Sequence, residues 1–240
     1  SIVLSTQPAQ FQAATFMGGL DENLAQIASL GYDGVELAIR DPKLVEIDNL
    51  EMLIHKYRLG VPAIGTGQAW GEEGLSFTDP DPEIRRAAIE RIKSHIPVAS
   101  RFGAVIIIGL IRGIVKPGVK ASQALEWLIQ ALQECSDAAH SHGIRLALEP
   151  INRYETTLIN TVAQGLELIE LVGADNFGLL LDTFHMNIEE QSIEDSIKLC
   201  REHTFHFHVA DSNRWYPGAG HLDFPSIFNA LFSHNYQGWI

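Results

Sequence analysis

The stretch Leu181-Asp182-Thr183-Phe184-His185-Met186-Asn187 decides the fold, because Asp182 closes an apolar run and has a chemically related residue about one structural repeat away on each side. Glu149 lies 33 positions before it and His208 lies 26 positions after it. Those intervals match the strand-plus-helix unit of a (β/α)8 barrel, which takes about 250 residues for eight units. Arg145-Leu146-Ala147-Leu148 runs into Glu149 and is stopped by Pro150; 177–181 runs into Asp182; 204–209 contains His208. Runs this apolar suit parallel strands covered on both faces. In parallel barrels the carboxyl ends of the strands carry the chemistry, so all three residues are expected on one rim.

Working outward, strand-like runs fall at 2–5, 34–37, 61–65, 104–109, 145–149, 177–182, 204–209 and 238–240. Helical patterns alternate with them. The clearest is 124–139, where Leu125, Leu128, Ile129, Leu132, Cys135 and Ala139 form one stripe. Asp81 as cap, Pro82 at the first position and Glu83 in the first turn mark another helix start. Alternating strands and helices allow a closed barrel or an open doubly wound sheet. Eight repeats, polar ends on consecutive strands and the lack of Gly-x-Gly-x-x-Gly after the first strand favour the barrel.

Apolar periodicity runs through all 240 residues without a linker or low-complexity tract, which predicts one domain over 1–240. A formal charge of −13 repels nucleic acid and anionic membrane surfaces. The apolar run 104–111 is far shorter than the roughly 20 residues needed to span a bilayer. Cys135 and Cys200 offer neither a disulfide framework nor a metal-ligand spacing, which points to a reducing compartment, the cytoplasm.

Two carboxylates and an imidazole make a hard, oxygen-rich set suited to one divalent ion, whether Mn, Mg, Co or Zn. His206 and His208, two apart on one strand, are expected to face the interior, with Phe205, Phe207 and Val209 facing the helices. His208, nearer the carboxyl end, is the expected ligand, and His206 a buried or supporting imidazole. His185 falls in the loop after Asp182, Glu155 in the loop after Glu149, and Arg214 in the loop after His208.

The segments Glu149-Pro150-Ile151-Asn152-Arg153-Tyr154-Glu155-Thr156, Leu181 to Glu190, His206-Phe207-His208, Ser212-Asn213-Arg214 and Pro217-Gly218-Ala219-Gly220 resemble the ketose 3-epimerases. These are the D-tagatose and D-psicose 3-epimerases of the xylose-isomerase-like TIM-barrel superfamily. The similarity is dense from Leu146 onward; earlier, Ser5-Thr6-Gln7-Pro8 and Gly34-Val35-Glu36-Leu37 resemble broader superfamily patterns.

The resemblance implies that Glu149, Asp182 and His208 bind the metal, that Glu149 doubles as catalytic acid/base, and that Glu155, His185 and Arg214 hold the sugar near its carbonyl. The implied reaction passes through an enediolate, most directly in ketose 3-epimerisation. The resemblance also implies a second catalytic glutamate, itself a metal ligand, just after Tyr236-Gln237-Gly238-Trp239-Ile240; the chain stops at Ile240, so the domain is expected to be truncated in or just after its eighth strand.

Aldose–ketose isomerisation, including that of hydroxypyruvate, uses the same intermediate and stands as the alternative. A non-catalytic metal- or sugar-binding relative is the reading from a different class. The expected partner is a small carbohydrate. The sugar, its phosphorylation, the native metal and the oligomeric state, a homo-oligomer included, stay open.

Overall fold

The computed structural model describes residues 1–6, 16 and 19–240. Gln7 and Pro8 of the early motif lie outside the described residues. In chain order the elements are β1 (Ile2–Ser5), α1 (Leu20–Ser29), β2 (Val35–Ala38), α2 (Ile47–Tyr57), β3 (Ala63–Gly65), α3 (Gln68–Glu73), α4 (Pro82–Phe102), β4 (Val105–Ile108), α5 (Ala121–His140), β5 (Leu146–Leu148), α6 (Val162–Val172), β6 (Phe177–Asp182), α7 (Thr183–Glu189), α8 (Ile193–Cys200), β7 (Thr204–His208) and α9 (Phe224–Ser233).

Among the described residues seven strands form one parallel sheet in sequence order, each paired with the next. The sheet is rolled: Glu36 of β2 reaches His206 and His208 of β7, at 3.0 and 2.7 Å. Those strands are far apart along the ladder, and only curvature brings their inner faces together.

Local chemistry sets the helix ends. The Asp81 side chain accepts from Glu83 N–H with Pro82 at the first turn of α4, as its sequence predicts, a cap worth about 1 kcal/mol. Thr161 and Gln164 form a reciprocal capping box at the start of α6. The stripe predicted at 124–139 buries Leu128, Leu132, Cys135 and Ala139 on one face of α5.

The main core lies between sheet and helices and takes in Leu37, Ile64, Ile106, Ile108, Leu146, Leu148, Leu179, Leu181 and Phe207. A smaller cluster of Ala63, Val105, Ile107, Ala147 and Leu180 fills the inner face, below the rim.

Two expectations change. Phe205 packs against the inner cluster, not the helices. The ladder between β6 and β7 slips between Leu179 and Leu180, pairing Leu179 with Thr204 and Leu180 with His206. Phe205 is the extra residue, and such a bulge breaks strict alternation. Residues 238–240, read as an eighth strand, form no strand. The Tyr236 hydroxyl donates to Trp239 O at 2.8 Å, folding the segment on itself, and the Trp239 indole lies against Gly34 and Gly60, where any side chain would collide. The Ser1 ammonium donates to Ile240 O beside β1.

Among the described residues no helix is long and apolar enough to cross a membrane.

Candidate active site at the carboxyl rim

Glu149 follows the last residue of β5, while Asp182 and His208 are the last residues of β6 and β7. Parallel pairing with Asp182 opposite His208 puts these ends side by side. One ligand atom from each of the three lies within 4.8 Å of the others. Two atoms bound to the same ion at about 2.1–2.3 Å can be at most about 4.5 Å apart, so small movements suffice for the group to close on a divalent cation.

His208 owes its orientation to a residue that sequence reasoning passed over. Glu36, on β2 and only 4% exposed, accepts from Nε2–H of both His206 and His208. Burial alone would raise its carboxyl, but the charge of His208 and the hydrogen bonds from both imidazoles outweigh burial and hold it well below the usual carboxylate range. With Nε2 committed to Glu36, Nδ1 of His208 faces Asp182 Oδ2 at 3.8 Å. A carboxylate behind a histidine fixes the ring and raises the basicity of its free nitrogen.

Glu36, His206 and His208 are also close enough to suit a cation, but their separations are those of hydrogen bonds, which already account for the group. His206, expected as a buried or supporting imidazole, is 2% exposed, and burial lowers its pKa against the pull of Glu36. For His208 burial opposes protonation, yet Glu36, Glu149 and Asp182 together push its pKa up to about 10.

The site also disturbs the proton affinity of Glu149. Burial raises its carboxyl above the ordinary range and the charge of Asp182 adds to this, against His185, His208 and Arg112. A carboxyl with raised proton affinity in such a place is suited to proton exchange with a substrate. Its main chain is pinned by Arg112, a fully buried side chain that donates to the carbonyls of Glu149, Gly109 and Ile159. Burial pushes the Arg112 guanidinium down to about 10, with Glu149 opposing.

The three residues expected to hold a substrate do converge. His185, expected in a loop, lies instead on the short helix α7 and turns Nε2 to within 3.6 Å of Glu149 Oε1. Glu155 Oε1 accepts from Arg214 Nη1 at 2.8 Å, and the Arg214 guanidinium lies 4.8 Å from the centre of the Phe184 ring. Arg214 sits at φ 66°, a left-handed conformation held by Arg214 N–H donating to Asp211 O. Asn152 joins His185 to Glu155.

Glu36, Arg112 and Asn152 are thus the members that sequence reasoning missed. The signal for Glu36 was a charge inside a fully buried strand; Arg112 and Asn152 act through loop carbonyls and side-chain hydrogen bonds that no periodicity reveals.

A model of the family described as xylose isomerase-like TIM barrel matches residues 24–240. The chain is 32% identical to L-ribulose 3-epimerase of Methylomonas sp. strain DH-1, over 92% of this chain and 76% of that protein. Among solved structures, D-allulose 3-epimerase from Methylomonas sp. in complex with D-allulose superposes with a TM-score of 0.81 at 31% identity, covering 91% of this chain and 75% of that one. The apo form of 3-keto-D-glucoside 4-epimerase from E. coli gives a TM-score of 0.83 at 26% identity, with 99% and 89% covered.

Proposed function

Because the chain belongs to the xylose isomerase-like TIM barrel family, we propose that it is a divalent-metal-dependent carbohydrate epimerase that acts on a free ketose at carbon 3. The observation that carries this reading is Glu149: a carboxyl with raised proton affinity, beside a metal-competent group and below a loop cluster rich in hydrogen-bonding groups. Removing a proton from carbon next to a ketone builds negative charge on oxygen. A divalent ion held by Glu149, Asp182 and His208 would supply charge stabilisation for that oxygen.

Glu149 takes the carbon-bound proton from its own face of the sugar, and inversion requires that carbon 3 then receive a proton on the opposite face. His185 contributes a hydrogen bond toward the developing oxyanion, and Arg214 with Glu155 orients the hydroxyls near the carbonyl. Phe184 supports the Arg214 guanidinium from one side. The charge of −13 favours a neutral sugar over a phosphorylated one, which the field of the molecule would repel. Two buried free thiols, both raised to about 12 by burial, support a reducing compartment such as the cytoplasm.

A second reading has its own support. The E. coli 4-epimerase matches nearly the whole of this chain and 89% of its own. Proton transfer next to the ketone of a 3-keto glycoside, at carbon 4, uses the same groups.

The test is incubation with Mn²⁺ or Mg²⁺ in heavy water, read by NMR, with D-fructose, D-tagatose, D-psicose and a 3-keto glucoside. Deuterium is expected at carbon 3 of a ketose, and Glu149→Gln is expected to abolish it. Label at carbon 4 of the keto glycoside alone would move the assignment to the second reading. Label at carbon 1 alone would make the protein an aldose–ketose isomerase.

A further inference from the structure

We propose that Asn152 is a positioning residue that locks His185 in the tautomer with its proton on Nε2, so that His185 enters the site as a hydrogen-bond donor and not as a base. The inference deepens the proposed function and rests on that reading for its kinetic consequence, though not for the tautomer itself.

The argument begins with the orientation of one amide. Asn152 is 1% exposed, in the loop after β5. Its Oδ1 lies 3.0 Å from Tyr154 N. A backbone N–H can only donate, so the atom facing it must be the carbonyl oxygen, which fixes the amide against a flip. Nδ2 therefore points the other way, with its two hydrogens toward His185 Nδ1 at 2.8 Å and Glu155 Oε1 at 3.0 Å. The Asn152 backbone N also faces His185 Nδ1, at 3.5 Å.

Both groups facing Nδ1 are donors, so Nδ1 accepts and carries no hydrogen. A neutral imidazole must then hold its proton on Nε2. That nitrogen makes no hydrogen bond among the described residues; its nearest ionic neighbour is Glu149 Oε1 at 3.6 Å, beyond hydrogen-bond reach. An N–H left over beside a carboxylate that exchanges protons is available to an oxygen of the substrate. With Nε2 protonated, His185 cannot remove a proton through that atom, which leaves proton abstraction to Glu149.

The same Asn152 amide holds Glu155, whose Oε1 also takes Arg214 Nη1 at 2.8 Å. One buried side chain thereby sets the donor face of His185 and the position of the Glu155–Arg214 pair.

The decisive measurement is the pair of ring-nitrogen shifts of His185, from long-range proton–nitrogen NMR on the Mg²⁺-loaded protein at a pH of about 8, where an ordinary imidazole is neutral. His185→Gln identifies the signal. A protonated Nε2 and bare Nδ1 are expected; a proton on Nδ1 in the unaltered protein overturns the proposal, whatever the activity. Asn152→Asp keeps the shape and the acceptor for Tyr154 N–H but replaces the donor to Nδ1 with an acceptor. It is expected to move the ring proton to Nδ1 and to lower kcat for solvent exchange at least tenfold with a smaller change in KM. Unchanged tautomer and unchanged kcat in Asn152→Asp would also overturn it. If the unaltered protein exchanges no sugar hydrogen, the proposed function fails separately, and the nitrogen shifts still decide the tautomer.

Discussion

Glu36 places a buried negative charge behind two imidazoles, which makes it the support on which His208 turns its other nitrogen toward Asp182. Glu36→Gln keeps the shape and removes the charge. Affinity for Mn²⁺, read by calorimetry, is expected to fall about 10–100-fold, the usual effect of losing such a partner. The sign of the pH dependence follows from His208. Its pKa of about 10 means that without an ion both ring nitrogens are protonated at neutral pH, and a cation must displace the Nδ1 proton. Binding in the unaltered protein is therefore expected to release about one proton near pH 7, seen as a buffer-dependent heat, and to tighten as pH rises toward 10. Asp182 and Glu149 were legible as candidates because each ends an apolar run, and His208 because it lies near the carboxyl end of one. Glu36 was not, because a mid-strand charge shows its purpose only when the partner strand across the interior is known.

The loop after β7 is organised by another carboxylate. Asp211 is fully buried, and its side chain accepts from the backbone N–H groups of Ser212, Gly218, Gly220 and Leu222. Burial would raise its pKa, but these donors more than offset it and hold the group well below the usual carboxylate range. A depressed carboxyl contributes stability that is present above its unfolded pKa, about 3.9, and is lost as pH falls below it toward the folded value. Asp211→Asn is expected to lower the melting temperature at pH 7 by a margin that narrows as pH falls from about 4 toward 2, as followed by circular dichroism. The same loop carries Arg214 in its left-handed conformation. At the level of elements, helices such as α4 and α5 were legible from a cap and a stripe. The bulge at Phe205 was not, since the residue count on a partner strand leaves no mark on the strand that bulges.

Strand order follows chain order through the whole sheet, and the alternation of short apolar runs with amphipathic helices was enough to foresee that. It did not foresee residues 238–240, where Trp239 seats on two glycines instead of continuing a ladder. Because each strand pairs with its immediate successor, sheet growth needs only contacts one repeat apart and can spread outward from any nucleus. Strands bonded on both sides should open last. Native-state hydrogen exchange is expected to be slowest at Ile106, Ile107, Leu146 and Ala147, between β3 and β6, and faster in β1. The reach of Glu36 to His208 is of another kind, since it joins residues 172 positions apart. It can form only after the ladder has rolled up, so in refolding the metal-competent rim should be among the last parts to assemble. A cation with affinity only for that rim would then arrive too late to speed folding, and would act afterwards by slowing the unrolling of a sheet already made.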